Sequence, residues 1–265
     1  MKAIEGATAF ITGAGSGIGF AIAASIGRRG AAVALSDIDG AACEKAAASL
    51  RADGVNAKAY QLDVRDLTQV RAVADQAQAD LGQVAILCSN AGVVPGFMPF
   101  DEIKPELWRW VIDINFEGMF NVAHVFVPRM KGRDGHIVFT ASMAAITAHA
   151  GIAAYVASKH AVLGLADGLR NELRDTPLGV SVLCPGQIAT NLTTTSRAAA
   201  SDDVLEVLGV GSQPQMVGLD PAPVGELVVE GILTNRFYLF THEGRRGEAE
   251  SRAAEQLAAF DVAPF

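Results

Sequence analysis

The chain has 265 residues, 50% of them hydrophobic and 19% charged, a balance that excludes a disordered polymer. With 29 Asp and Glu against 21 Lys and Arg the formal net charge is −8, which excludes a nucleic-acid binder relying on clustered cations to meet phosphates. The length suits one large domain able to bury a substantial core.

Residues 7–12 (Ala-Thr-Ala-Phe-Ile-Thr) are short, apolar and followed by glycines, the pattern of a buried strand. Residues 17–29 carry Ile18, Ala21, Ile22, Ser25 and Ile26 at helical spacing. A strand is predicted at 32–36, an Ala-rich helix at 40–52, a strand at 57–62, a helix at 66–81 and a strand at 84–88. A long helix follows over 105–131, with Trp108, Ile112, Phe116, Met119, Phe120 and Ala123 as its inward stripe. Then come a strand at 136–140, a helix at 153–174 and a strand at 180–184. Residues 188–222, rich in Thr, Ser, Ala, Gly and Pro, break the rhythm and predict a long loop, functional or mobile, within the single domain 1–265. The tail resumes with a helix at 223–234, a strand at 237–240 and a polar helix at 245–260. Strand–helix alternation of this kind predicts an α/β fold: a Rossmann-like, doubly wound parallel sheet with helices on both faces.

The segment Thr12-Gly13-Ala14-Gly15-Ser16-Gly17-Ile18-Gly19 lies between the first strand and the first helix. Glycines there allow a tight turn and a close approach to a pyrophosphate, which the helix N-terminus favours electrostatically. Gly13, Ser16, Gly17, Ile18 and Gly19 are therefore candidate dinucleotide contacts. Asp37 closes the second strand, where a carboxylate accepts hydrogen bonds from a ribose diol and repels a 2′-phosphate. No Lys or Arg follows it, so NAD is expected over NADP; the competing role for Asp37 is to cap the next helix. Asp63 and Val64, after the third strand, and Asn90, Ala91 and Gly92, after the fourth, fall on the same sheet edge. Asn90 reads equally as a cofactor contact or as a turn residue bonding nearby backbone.

Ser142 ends the fifth strand, and Tyr155 and Lys159 lie at i and i+4 on one face of the next helix. With Asn115 and Pro185-Gly186-x-x-x-Thr190, these motifs in order make the chain resemble the short-chain dehydrogenase/reductase family, over about residues 5–190. Two departures stand out: Ser89 opens the Asn-Ala-Gly turn, and the C-terminus carries Phe237-Tyr-Leu-Phe-Thr-His in place of the family's usual glycine-rich ending. The resemblance implies that Tyr155 is the general acid/base, that Lys159 lowers its pKa and holds the nicotinamide ribose, and that Ser142 bonds the substrate oxygen. It implies that Asn115 holds a proton-relaying water, the alternative being a satisfied core amide. Pro185, Gly186, Ile188 and Thr190 would meet the nicotinamide end, the segment 188–222 would be a substrate lid, and a homodimer or homotetramer would form, with the long helix as an interface. A tyrosine working near pH 7 needs a fall from about 10, which one cation ~4 Å away at an effective dielectric of ~20 supplies.

The flanking segments 93–98 and 143–146, with Leu192 and Met216, are apolar and carry no Arg or Lys to clamp an anion, so a hydrophobic secondary alcohol or ketone is expected. Val94, Ala144, His149, Gln187 and Leu192, with Ser142 and Tyr155, are the candidate substrate contacts. The stretch 181–186 and its Thr-rich continuation resemble dehydrogenases of aryl benzylic alcohols. An NADPH-dependent ketone or oxoacyl reductase is the second reading, and a non-catalytic NAD-binding regulator the third. Cys43, Cys88 and Cys184 have no metal-ligand spacing and read as reduced core thiols; no metal site is expected. No secretory leader or bilayer-spanning run is visible, so a cytoplasmic protein without membrane or nucleic-acid partners is expected.

Overall fold

The computed structural model describes residues 1, 3–208 and 218–261. Each apolar run becomes a strand: β1 Thr8–Thr12, β2 Ala32–Asp37, β3 Ala57–Gln61, β4 Val84–Ser89, β5 Gly135–Thr140, β6 Leu178–Cys184 and β7 Tyr238–Phe240. They pair in one parallel sheet of order β3-β2-β1-β4-β5-β6-β7, with registers such as Thr8 beside Ala32 and Ile86 beside His136. β1, β4 and β5 are buried throughout apart from Ala85, as expected of parallel strands covered on both faces.

The helices are α1 Gly17–Gly27, α2 Gly40–Ala52, α3 Leu67–Leu81, α4 Pro105–Ile112, α5 Gly118–Met130, α6 Ala153–Glu172, α7 Leu192–Ala198, α8 Asp202–Leu208, α9 Ala222–Thr234 and α10 Arg246–Phe260. On one face Ile22 and Ile26 of α1, Leu50 of α2 and Val228 and Ile232 of α9 pack against Ile11, Leu35 and Leu183. On the other, Val70 of α3, Phe126 of α5 and Val162 of α6 pack against Phe10, Leu87 and Phe139. Crossovers reverse between β1 and β4, which opens the crevice where open α/β sheets bind ligands.

Two expectations need correction. The helix predicted over 105–131 is interrupted at Asp113–Glu117 by a π-helical turn, so α4 and α5 meet with an extra residue between them. The predicted stripe holds in part: Met119 and Ala123 are buried. Leu107, Trp110, Val111 and Ile114 point inward, while Trp108 and Phe120 are 37% and 43% exposed. The predicted loop at 188–222 contains α7 and α8, and Ile188 forms a bridge with Leu219. Met216 lies outside the described residues.

Candidate active site

The glycine segment is built by long-range stitching. The Thr12 hydroxyl accepts the N–H groups of Asn90 (2.9 Å) and Ala91 (3.0 Å), and the Asn90 side-chain amide donates to the carbonyls of Thr12 and Gly13 (3.1 and 3.3 Å). Asn90 thus serves the backbone of both strand ends while lining the cavity. Gly13 has φ +63°, a region unfavourable to side chains, and a Cβ on Gly19 would overlap the Gly13 carbonyl. The first turn of α1 holds no acidic residue, which leaves its N–H groups and dipole available to an anion.

A cavity of about 490 Å³ runs along this sheet edge. At one end Asp37, Asp39, Asp63, Ile38 and Arg65 line it. Asp39 caps α2, accepting from Ala41 and Ala42 at 3.0 and 2.9 Å, so Asp37 is left free of that task. The Asp37 carboxylate instead accepts from the backbone of Gly15 (2.9 Å) and Asp39 (3.1 Å), which fixes it against the glycine loop. Arg65, far from Asp37 in sequence, brings a cation to this end of the cavity. Its guanidinium grips Asp63 at 2.6 and 3.0 Å, which offsets the desolvation of Asp63 and holds that carboxyl below its usual range.

At the other end stand Ser142, Tyr155 and Lys159. Ser142 follows β5; its hydroxyl stands near enough to the Tyr155 phenol to oppose the effect of burial on it, and accepts from Ala144 N–H at 3.1 Å. Lys159, one helical turn beyond Tyr155, is 3% exposed; its Nζ donates to the Thr140 carbonyl at 3.0 Å and lies 5.6 Å from the Tyr155 ring centre. Desolvation pushes Lys159 down to about 8 and Tyr155 above its ordinary range; the Ser142 hydroxyl opposes the latter. Lys159 thus stays mostly protonated near neutral pH, while burial opposes the fall in the phenol's pKa expected from the ammonium and the nicotinamide charge.

Of the residues singled out from the sequence, Gly13, Ser16, Gly17, Ile18, Asp37, Asp63, Val64, Asn90, Ala91, Gly92, Ser142, Tyr155, Lys159, Pro185, Gly186, Ile188, Thr190 and Leu192 share this one cavity. Gly19, Val94, Asn115, Ala144, His149 and Gln187 lie outside its lining. Val94 instead donates its N–H to Ser196 of α7 at 3.0 Å, and Gln187 is exposed. Asn115, in the π-helical turn, accepts from Val93 N–H (2.7 Å) and donates to Val93 O (2.9 Å) and Ser158 Oγ (3.1 Å). Ser158 in turn donates to the Tyr155 carbonyl at 2.7 Å. Ser158 and Ser196 went unnoticed; both are small hydroxyls in apolar surroundings, a pattern that marks a needed hydrogen bond without naming its partner.

Among the described residues there is no cluster able to hold a metal and no helix long and apolar enough to cross a membrane. A profile of the short chain dehydrogenase family matches residues 7–201. The chain is 40% identical over 244 residues to a 1-deoxy-11-beta-hydroxypentalenate dehydrogenase of Streptomyces exfoliatus, covering 90% of this chain and 84% of that one. It is 33% identical over 258 residues to a C alpha-dehydrogenase of a Sphingobium species, covering 93% and 84%. A short-chain dehydrogenase/reductase from Burkholderia phymatum, solved in complex with NAD, superposes with a TM-score of 0.88 at 31% identity, covering 100% and 98%. By these matches the chain belongs to the short-chain dehydrogenase/reductase family of oxidoreductases.

Proposed function

We propose that the protein is an NAD-dependent dehydrogenase that interconverts hydrophobic secondary alcohols, aromatic ones included, with their ketones. The observation that carries this reading is that Ser142, Tyr155 and the buried Lys159 line the same cavity as the glycine loop. The relative named for a hydroxypentalenate supports a hydroxyl-bearing substrate. A bound dinucleotide supplies the carbon that takes or returns the hydride. Tyr155 holds or gives the proton at the alcohol oxygen, Ser142 orients that oxygen, and Lys159 favours negative charge on the phenol. Gly13, Gly17, Ile18 and the α1 N-terminus would hold the pyrophosphate, with the adenosine between Asp37, Ile38 and Asp63. Leu192, Thr195, Ala198 and Ala199 of the α7 region roof the cavity. That roof is latched by Ser196, which supports a lid role for 188–222 that excludes water.

NAD is favoured because Asp37, Asp39 and Asp63 face the adenosine end. Arg65 is the feature that would suit NADP, but Asp63 already occupies its guanidinium. A panel of hydrophobic secondary alcohols, followed by NADH absorbance, tests the assignment. NAD should exceed NADP in kcat/KM by about a hundredfold or more, and Asp37→Ala should narrow that ratio at least tenfold. Equal use of both dinucleotides by the wild type would refute the reading of Asp37. Three buried free thiols support a reducing compartment such as the cytoplasm. The outward Trp108 and Phe120 of α4 and α5 support a homodimer or homotetramer; a sedimentation mass of 27.6 kDa would rule that out.

A further inference from the structure

The segment after β7 is where this chain departs from the family's ending, and it reaches the reacting end of the cavity. Thr241 accepts the N–H of Gly186 on its hydroxyl at 3.0 Å, and that hydroxyl lies 2.7 Å from Nδ1 of His242. The His242 ring packs so closely on Gly186 that a Cβ there would stand 2.5 Å from Nδ1. The other end of the same peptide group, the Pro185 carbonyl, accepts from Met143 N–H at 2.8 Å and from the Ser142 hydroxyl at 3.5 Å. Because a peptide group is planar, its N–H and C=O turn together. The plane between Pro185 and Gly186 is thus gripped by Thr241 on one side and by the Ser142 loop on the other. Further along, Arg252 of α10 donates to the Ile146 carbonyl at 2.9 Å, at the far end of that loop.

We propose that Thr241, backed by His242, is a positioning residue: its hydroxyl sets the angle of the Pro185–Gly186 peptide and, through it, the placement of Ser142 against the nicotinamide end of a bound dinucleotide. The bland alternative is a β-sheet edge that happens to continue past β6 and β7. It explains the adjacency of the two chain segments but not a side-chain hydroxyl spent on a cavity-lining amide, nor the close packing of a histidine ring on a glycine. The inference rests on the dehydrogenase reading, and its test separates the two.

Thr241→Val keeps the shape and removes the hydroxyl; Thr241→Ser keeps the hydroxyl. The valine variant should lose about ten- to a hundredfold in kcat/KM, as expected for a small misplacement of reacting groups. The serine variant should stay within about threefold of wild type. Binding gives the second readout: Thr241→Val should weaken NADH several-fold and leave ADP-ribose, which has no nicotinamide, within about twofold. Equal kcat/KM for valine and wild type, or equal losses for NADH and ADP-ribose, would overturn the proposal. If Thr241→Val does not fold, His242→Ala, which removes the supporting ring, must show the same selective loss of NADH binding or the proposal fails. A wild-type protein that oxidises no alcohol would sink the dehydrogenase reading, while the NADH and ADP-ribose comparison would still decide this one.

Discussion

Tyr155→Phe is expected to lower turnover by about 10²–10⁴-fold while NADH binding stays within about twofold of wild type. The substitution removes one oxygen and leaves the ring, its packing and the neighbouring Lys159 in place. Ser142 keeps the Ala144 N–H and the Pro185 carbonyl, so no buried hydroxyl is orphaned. The pH dependence follows from the same group. Burial holds the phenol above its ordinary range, so the proton-bearing form dominates near neutrality and suits ketone reduction. Alcohol oxidation needs the deprotonated form, so its kcat/KM should rise with pH as the phenol ionises, and reduction should fall. Lys159 would favour the ionised phenol, and a bound oxidised dinucleotide would supply further positive charge beside it. Steady-state rates in both directions, with binding by NADH fluorescence, check this; undiminished turnover in Tyr155→Phe would remove Tyr155 from the chemistry.

Asn115→Leu is expected to cost about 3–5 kcal/mol of stability, read as a lower urea midpoint at unchanged slope. Leu fills a similar volume but leaves the N–H and C=O of Val93 unpaired in a fully buried place. Both amide hydrogens of Asn115 are already spent, one on Val93 and one on Ser158, and Ser158 carries the restraint to the carbonyl of Tyr155. The side chain is therefore a strut between the segment after Gly92 and the helix that bears the phenol. A loss below about 1 kcal/mol would show that the strut carries little. A large loss of activity at full stability would favour a role in proton relay instead.

What could be read from the residues was what is local. Short apolar runs read as strands because buried parallel strands need no alternation, and the i, i+4 spacing put Tyr155 and Lys159 on one face. What escaped the eye depends on tertiary arrangement. The π-helical turn at Asp113–Glu117 leaves no compositional mark, yet it seats Asn115. The capping of α2, the competing role for Asp37, falls to Asp39, and only coordinates separate two acids two residues apart. Arg65 was missed because the search for a cation stayed near Asp37, while the parallel register brings the end of β3 alongside the end of β2. The helices α7 and α8 are short and rich in Thr, Ser and Asp, so periodicity had too few turns to work with. Thr241 and His242 lay beyond the motifs that carried the resemblance.

The stitching of Thr12 to Asn90 has a consequence for how the protein persists in a cell. These partners stand 78 residues apart, and the β1–β4 pairing around them closes a loop that chain entropy opposes. A dinucleotide lying across that seam binds only the folded chain, so it shifts the folding equilibrium by mass action. Fluctuating nucleotide pools would then govern how many copies survive proteolysis, and starvation for the coenzyme would deplete the enzyme itself as well as its rate.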